Sequence, residues 1–207
     1  MTAPPDREDP GATRRGEVHR ATKETDVSVS LQLSEGPVVV ETGLPFFDHM
    51  LAQLAKHGGF TLELRAKGDL EVDAHHTVED VGLALGHALR DALGDKAGVR
   101  RFASVAVPLD ESLCEVALDL SGRPYLRYEV ELPSETPPLG SPPFDPQLAE
   151  EFWRAFVTEA NVTLHVGLRY GRNPHHVLES SFKAVARALR DAVRVEGSSV
   201  PSTKGVL

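Results

Sequence analysis

A single cysteine, Cys114, leaves this chain without an internal disulfide and without a thiolate metal site. It falls in the apolar run from Leu113 to Leu120, where a buried strand residue is expected. Basic charge is scarce too: 22 Lys and Arg stand against 31 Asp and Glu, a formal net charge of -9. A surface so balanced does not suit a nucleic-acid backbone, so no nucleic acid is expected as a partner; a local basic pocket for one small phosphate remains compatible with it. No stretch approaches the roughly 18 apolar residues of a membrane span, and the N-terminus lacks the apolar centre of a signal peptide. The expectations are therefore no membrane partner and a cytoplasmic location.

What is present is a foldable chain. With 207 residues, 41% of them hydrophobic, it can bury a core as one domain or as two fused half-domains. Residues 1–15, with Pro4, Pro5, Pro10 and Gly11, show no periodicity and are expected to form a flexible tail. Val27, Val29, Leu31 and Leu33 alternate with polar residues and predict a strand with one buried face, followed after Glu35-Gly36-Pro37 by a second strand, Val38 to Thr42, as a hairpin. Pro45 opens a helix that ends at His57-Gly58, a strand runs from Thr61 to Ala66, and a helix runs from His75 to Leu93 and stops at Gly94. The second half repeats the order, with strands Leu113 to Leu120 and Tyr125 to Leu132, a helix opened by Asp145-Pro146, a strand Val162 to Leu168 and a helix from His175 to about Arg194. The fold expected is α+β, two duplicated β-β-α-β-α halves over 16–98 and 99–195 with a C-terminal segment 196–207. The proline-rich stretch Pro133 to Pro146 has no counterpart in the first half and is expected as a surface insertion.

The duplication is read directly. His75-His76-Thr77-Val78-Glu79 returns as His175-His176-Val177-Leu178-Glu179 100 residues later, and Ala88-Leu89-Arg90-Asp91-Ala92 matches Ala188-Leu189-Arg190-Asp191-Ala192 at the same offset. Consecutive helix residues point about 100° apart, so a His-His pair is poorly placed to chelate one ion and well placed to reach two. A glutamate one turn on completes a mixed nitrogen and oxygen donor set. Polar caps and an acidic first turn explain Glu79 and Glu179, but not recurring pairs of bulky imidazoles.

Two further histidines can complete the donor sets. His49 lies among core residues of the first helix. His165 lies in the last strand of the second half, shortly before the His175-His176 pair, and its first-half equivalent is Arg65. Six imidazoles and two carboxylates then suffice for two ions with four protein ligands each and open positions left over, the mark of a catalytic site rather than a structural one.

Gly43-Leu44-Pro45-Phe46-Phe47-Asp48-His49-Met50-Leu51, Ala74-His75-His76-Thr77-Val78-Glu79-Asp80, Pro108-Leu109-Asp110-Glu111, Asp119-Leu120-Ser121-Gly122-Arg123-Pro124-Tyr125, His175-His176 with Glu179, and Ser202-Thr203-Lys204-Gly205 together resemble the imidazoleglycerol-phosphate dehydratase family, from about Gly16 to the C-terminus. The resemblance implies a fold like domain 2 of ribosomal protein S5, a role in histidine biosynthesis, two manganese ions (Mn2+) per active site, and a 24-subunit assembly with active sites between subunits. It pairs His75, Glu79, His165 and His175 at one ion and His49, His76, His176 and Glu179 at the other. It places the substrate, imidazole glycerol phosphate, against Glu24, His49, Gln53, His75, His76 and Glu79, with its phosphate on Arg101, Arg123, Ser202 and Lys204. A guanidinium fork beside a lysine suits a phosphate dianion.

The implied reaction removes water to give imidazole acetol phosphate. The hydrogen to be lost is not acidic and hydroxide is a poor leaving group, so the imidazole is expected to be held between two ions as an imidazolate, which expels the neighbouring hydroxyl. A carboxylate then takes the next proton, with Glu24 the first candidate and Glu179 the second. Manganese follows from the resemblance alone, because imidazole-rich sites bind zinc, nickel and copper more tightly. The chain departs from the family pattern at Ala74, where a second aspartate is usual and would orient an imidazole, and in the length of the 133–146 stretch. Two other classes fit parts of the sequence: a binuclear metallohydrolase, distinguished by release of inorganic phosphate or an amine, and a non-catalytic RNA-binding module, distinguished by salt-sensitive RNA binding.

Overall fold

The computed structural model describes residues 14–133 and 135–207. The expected tail lies outside the described residues as far as residue 13. The described elements are β1 (Arg15–Ala21), β2 (Thr25–Gln32), β3 (Val38–Glu41), α1 (Pro45–Gly58), β4 (Thr61–Gly68), α2 (His75–Leu93), β5 (Phe102–Leu109), β6 (Ser112–Asp119), β7 (Tyr125–Glu129), α3 (Leu148–Ala160), β8 (Thr163–Tyr170) and α4 (Pro174–Ala192). Each half holds the expected β-β-α-β-α order with one more strand in front, β1 in the first half and β5 in the second. Two four-stranded sheets result, ordered β1-β2-β4-β3 and β5-β6-β8-β7.

The expected hairpin of β2 with β3 does not form. β2 pairs antiparallel with β1 on one side and with β4 on the other, and β3 pairs parallel with β4. Alternation in β2 marks the buried face but not the neighbour. Parallel strands need a crossover, and α1 supplies it between β3 and β4. The same topology recurs in the second half, where β7 and β8 are parallel.

α2 packs on β1 and β2, α4 packs on β5 and β6, and the helices meet as α1 with α4 and α2 with α3. Each of these helices buries an apolar stripe: Val78, Leu85, Leu89 and Leu93 in α2, and Leu178, Phe182, Val185 and Leu189 in α4. Gly82 and Gly86 let α2 and α3 approach backbone to backbone. A Cβ on Gly86 would lie 2.4 Å from the Phe156 carbonyl oxygen, and one on Gly82 would lie 2.7 Å from that of Phe152. The aromatic centre joins both halves, with Phe152 at 5.3 Å from Phe47 and 5.6 Å from Phe182.

The 133–146 stretch is more than a surface insertion. Phe144 is fully buried and stacks on Phe47 at 5.6 Å, so the loop is pinned to the core by its own aromatic residue. Among the described residues, no helix is long and apolar enough to cross a membrane.

Candidate functional site

The site begins at the helix starts that carry its imidazoles. Asp48 accepts from the Thr42 N–H at 2.8 Å and from its hydroxyl at 2.6 Å, which ties the first turn of α1 to the chain before it and directs His49. In α4, Pro174 occupies the first turn and the Asn173 side chain accepts from the His175 N–H at 3.0 Å. Asp73 accepts from the His75 N–H at 2.7 Å, so both copies of the motif start on the same kind of side-chain bond.

His49, His175 and Glu179 form a group whose ligand atoms lie within 4.8 Å of one another. His49 Nε2 is 3.2 Å and His175 Nε2 is 2.9 Å from Glu179 Oε2, and the Lys183 ammonium pairs with the other carboxylate oxygen. Burial pushes the Glu179 carboxyl up, but the hydrogen bonds from Lys183, His49 and His175 outweigh it and bring the pKa down to about 2. The carboxylate is therefore ionised and ready to meet a cation. Nothing in the sequence singles out Lys183 except its i+4 spacing from Glu179, which puts it on the same helix face.

The neighbouring histidines point elsewhere. The rings of His75 and His76 lie 6.2 Å apart at 89°, and those of His175 and His176 lie 6.2 Å apart at 83°. His76 Nδ1 is 3.0 Å from Asp69 and His176 Nδ1 is 2.7 Å from Glu111, which raises the pKa of both imidazoles and leaves Nε2 as the outward nitrogen of each. This is how metal-binding imidazoles are commonly oriented. Glu111 is brought down to about 2, chiefly by His176 and then by the Asn173 N–H. Neither Asp69 nor Glu111 is marked for this part by the sequence pattern. The orienting carboxylate expected at position 74 is supplied to His76 by Asp69; Ala74 is buried and, with His75, lines a cleft of about 340 Å³ bordered by Pro138, Pro142 and Pro143 of the long loop.

The remaining residues are dispersed. His75 Nε2 is 3.7 Å from Glu79, and Glu24, half-exposed in the β1–β2 turn, is 3.8 Å from His76 Nδ1. His165 is exposed beside Tyr125, with ring centroids 5.5 Å apart, whereas its neighbours Leu164 and Val166 are buried. It therefore lies on the sheet face opposite α4. Gln53 sits one turn beyond His49 on α1, and its side-chain oxygen is 3.0 Å from His57 Nε2.

Arg101, Arg123, Ser202 and Lys204 belong to the opposite end of α4. The Arg101 N–H donates to the Ala192 carbonyl at 3.0 Å, and at 1.5 Å per residue Ala192 lies about 25 Å along the helix from His175. Arg101 donates to both oxygens of Asp119, at 2.7 and 3.2 Å, and to the Pro201 carbonyl at 2.7 Å. Arg123 and Lys204 are exposed, and Ser202 Oγ accepts from the Lys204 N–H at 3.2 Å. One chain thus presents an imidazole-rich end and a phosphate-suited end that do not meet within it.

Comparison with known proteins follows the same lines. The family model for imidazoleglycerol-phosphate dehydratase matches residues 42–189. A dehydratase of that name from Anaeromyxobacter sp. (strain Fw109-5) is 59% identical over 194 residues, 94% of each chain. Its counterpart in Acidothermus cellulolyticus is 55% identical over 203 residues, 97% of each chain. The crystal structure of the Staphylococcus aureus N315 enzyme superposes with a TM-score of 0.78 at 36% identity, covering 87% of this chain and 99% of the other. That of the Pyrococcus furiosus enzyme, in complex with (S)-C348, gives 0.78 at 34% identity, covering 92% and 100%. The chain belongs to the imidazoleglycerol-phosphate dehydratase family.

Proposed function

We propose that this hydro-lyase removes water from imidazole glycerol phosphate to give imidazole acetol phosphate in histidine biosynthesis, at cytoplasmic sites holding two manganese ions and formed between subunits of a 24-subunit assembly. The observation that carries the metal part is the donor chemistry: an ionised Glu179 between two imidazole nitrogens, with His76 and His176 oriented by carboxylates through Nδ1. These residues fit a divalent cation. By the resemblance His49, His76, His176 and Glu179 would hold one ion, and His75, Glu79, His165 and His175 the other, although within the single chain His175 groups with His49 and Glu179. A divalent cation held by these residues would supply positive charge beside the substrate's imidazole ring.

Assembly is supported by what one chain keeps apart. His165 faces away from α4, and the Arg101, Arg123, Ser202 and Lys204 end lies a helix length from His175. A second copy can supply the missing part of each site.

Glu24 is the better candidate for the base. Its turn is held by Thr22 Oγ1, which accepts from the N–H groups of Glu24 and Thr25 at 3.1 and 3.0 Å, and its carboxylate is exposed beside His76. Glu179, at about 2, is too weakly basic to take a carbon-bound proton readily. Arg123, Ser202, Lys204 and the remaining N–H groups of Arg101 would hold the phosphate. Supplying imidazole glycerol phosphate and following products by mass spectrometry tests the reaction. A keto product lighter by one water is expected; release of inorganic phosphate instead would replace this reaction with hydrolysis.

A further inference from the structure

Lys96 and Arg101, with φ of 60° and 75°, are two of the four described non-glycine residues in the left-handed region, and both lie in the connection between α2 and β5. That conformation is unfavourable for an L-residue and persists only where the surroundings enforce it. Both residues are cations, Arg101 paired with Asp119 and Lys96 bonded to the carbonyl of the next residue, Leu120. Arg101 holds the two carboxylate oxygens at 2.7 and 3.2 Å, with the side chains only 15% and 19% exposed. Lys96 is 5% exposed, and its ammonium donates to the Leu120 carbonyl at 3.2 Å. Burial pushes the Lys96 pKa down, while Asp119 opposes that and Arg101 adds to it.

The cluster grips the C-terminal segment. Arg101 Nη1 donates to the Pro201 carbonyl at 2.7 Å, one residue before Ser202. The Gly98 N–H donates to the Ser199 carbonyl at 2.9 Å, and a Cβ on Gly98 would lie 2.0 Å from the Gly197 oxygen. The Arg101 carbonyl also accepts from the Leu120 N–H at 3.1 Å, which ties it to the strand end leading into Arg123. Two cations and one carboxylate leave a surplus of positive charge in a largely buried cluster, which an anion would balance. Of the five Arg101 donors, the three engaged leave two for that anion.

We propose that Asp119 and Lys96 are positioning residues for the phosphate end of the site. They fix the Arg101 fork and the backbone around it, so that Arg101, Ser202 and Lys204 form one preorganised anion site. The phosphate role of Arg101, Ser202 and Lys204 rests on the dehydratase function proposed above; their positioning by Asp119 and Lys96 rests on the contacts around Arg101 and Leu120.

The test uses the manganese-loaded enzyme and its Asp119→Asn and Lys96→Met variants. Steady-state kinetics with imidazole glycerol phosphate are paired with calorimetric titration of inorganic phosphate. The expected result is a KM raised by about tenfold with kcat within roughly twofold, and phosphate affinity lowered by a similar factor. Asp119→Glu and Lys96→Arg, which keep the charges, should recover part of the loss. Unchanged phosphate affinity in either folded variant, or a fall in kcat at constant KM, overturns the proposal. Should Asp119→Asn fail to fold, Lys96→Met decides by the same criteria. If the wild type binds phosphate but turns over no substrate, the dehydratase function fails while the titration still judges the positioning.

Discussion

Replacing Glu179 by Gln in chelator-stripped protein removes a charge from a site where three donors converge. The wild-type side chain is 11% exposed, and its carboxyl pKa falls from 4.5 to about 2 in the folded chain. At 1.36 kcal/mol per pH unit, that shift corresponds to about 3 kcal/mol of stability. Because the folded pKa is the lower one, the contribution is fully present above about 4.5 and is lost as the pH falls towards 2. Urea unfolding of wild type and Glu179→Gln at a series of pH values measures it. The stability difference should be largest near neutral pH, on the order of 3 kcal/mol, and should shrink steadily below about pH 4.5. A difference that stays constant across that window would refute the charge argument.

The other predictions concern separate parts of the molecule. Gly86→Ala should push α2 off the Phe156 carbonyl and cost about 1–3 kcal/mol, read as a lower melting temperature; an unchanged melt would mean that the helices are not in tight contact. Asp69→Asn and Glu111→Gln should each weaken manganese binding by roughly 10–100-fold in a paramagnetic-resonance titration, and wild-type affinity would remove these carboxylates from their orienting role. Glu24→Gln should abolish turnover with manganese content intact, and an active variant would disqualify it as the base. His165→Ala and His175→Ala, each inactive alone, should regain activity when stripped subunits are mixed and reassembled, because some sites then receive both histidines from wild-type positions; no recovery would place both ligands in one chain.

The helical parts of the fold are the most legible in the sequence. α2 runs from His75 to Leu93 as expected, because the apolar period and Gly94 mark its body and its end. β1 and β5 escape a reading by pattern. Both are edge strands: β1 buries only Gly16 fully, and β5, although Ala103, Val105 and Val107 alternate on its core side, has no fully buried residue. The expectation of a β2–β3 hairpin fails because side-chain alternation identifies a face and not a pairing partner. The histidines and glutamates stand out because they recur at a fixed offset. Asp69 and Glu111 do not recur, and their roles come from contacts made on folding: Asp69 reaches His76 across the β4–α2 connection, and Glu111 reaches His176 across 65 positions. The dispersal of His165 and Arg101 from the imidazole cluster is likewise a property of the folded chain, visible only once β8 and α4 have been placed against each other.

The most direct measurement is turnover of imidazole glycerol phosphate by chelator-stripped protein, with and without added manganese, followed by mass spectrometry. Product lighter than substrate by one water, formed only when manganese is restored, is the predicted result. Dehydration at full rate in the stripped protein, or none in folded protein shown to hold the metal, would contradict the account.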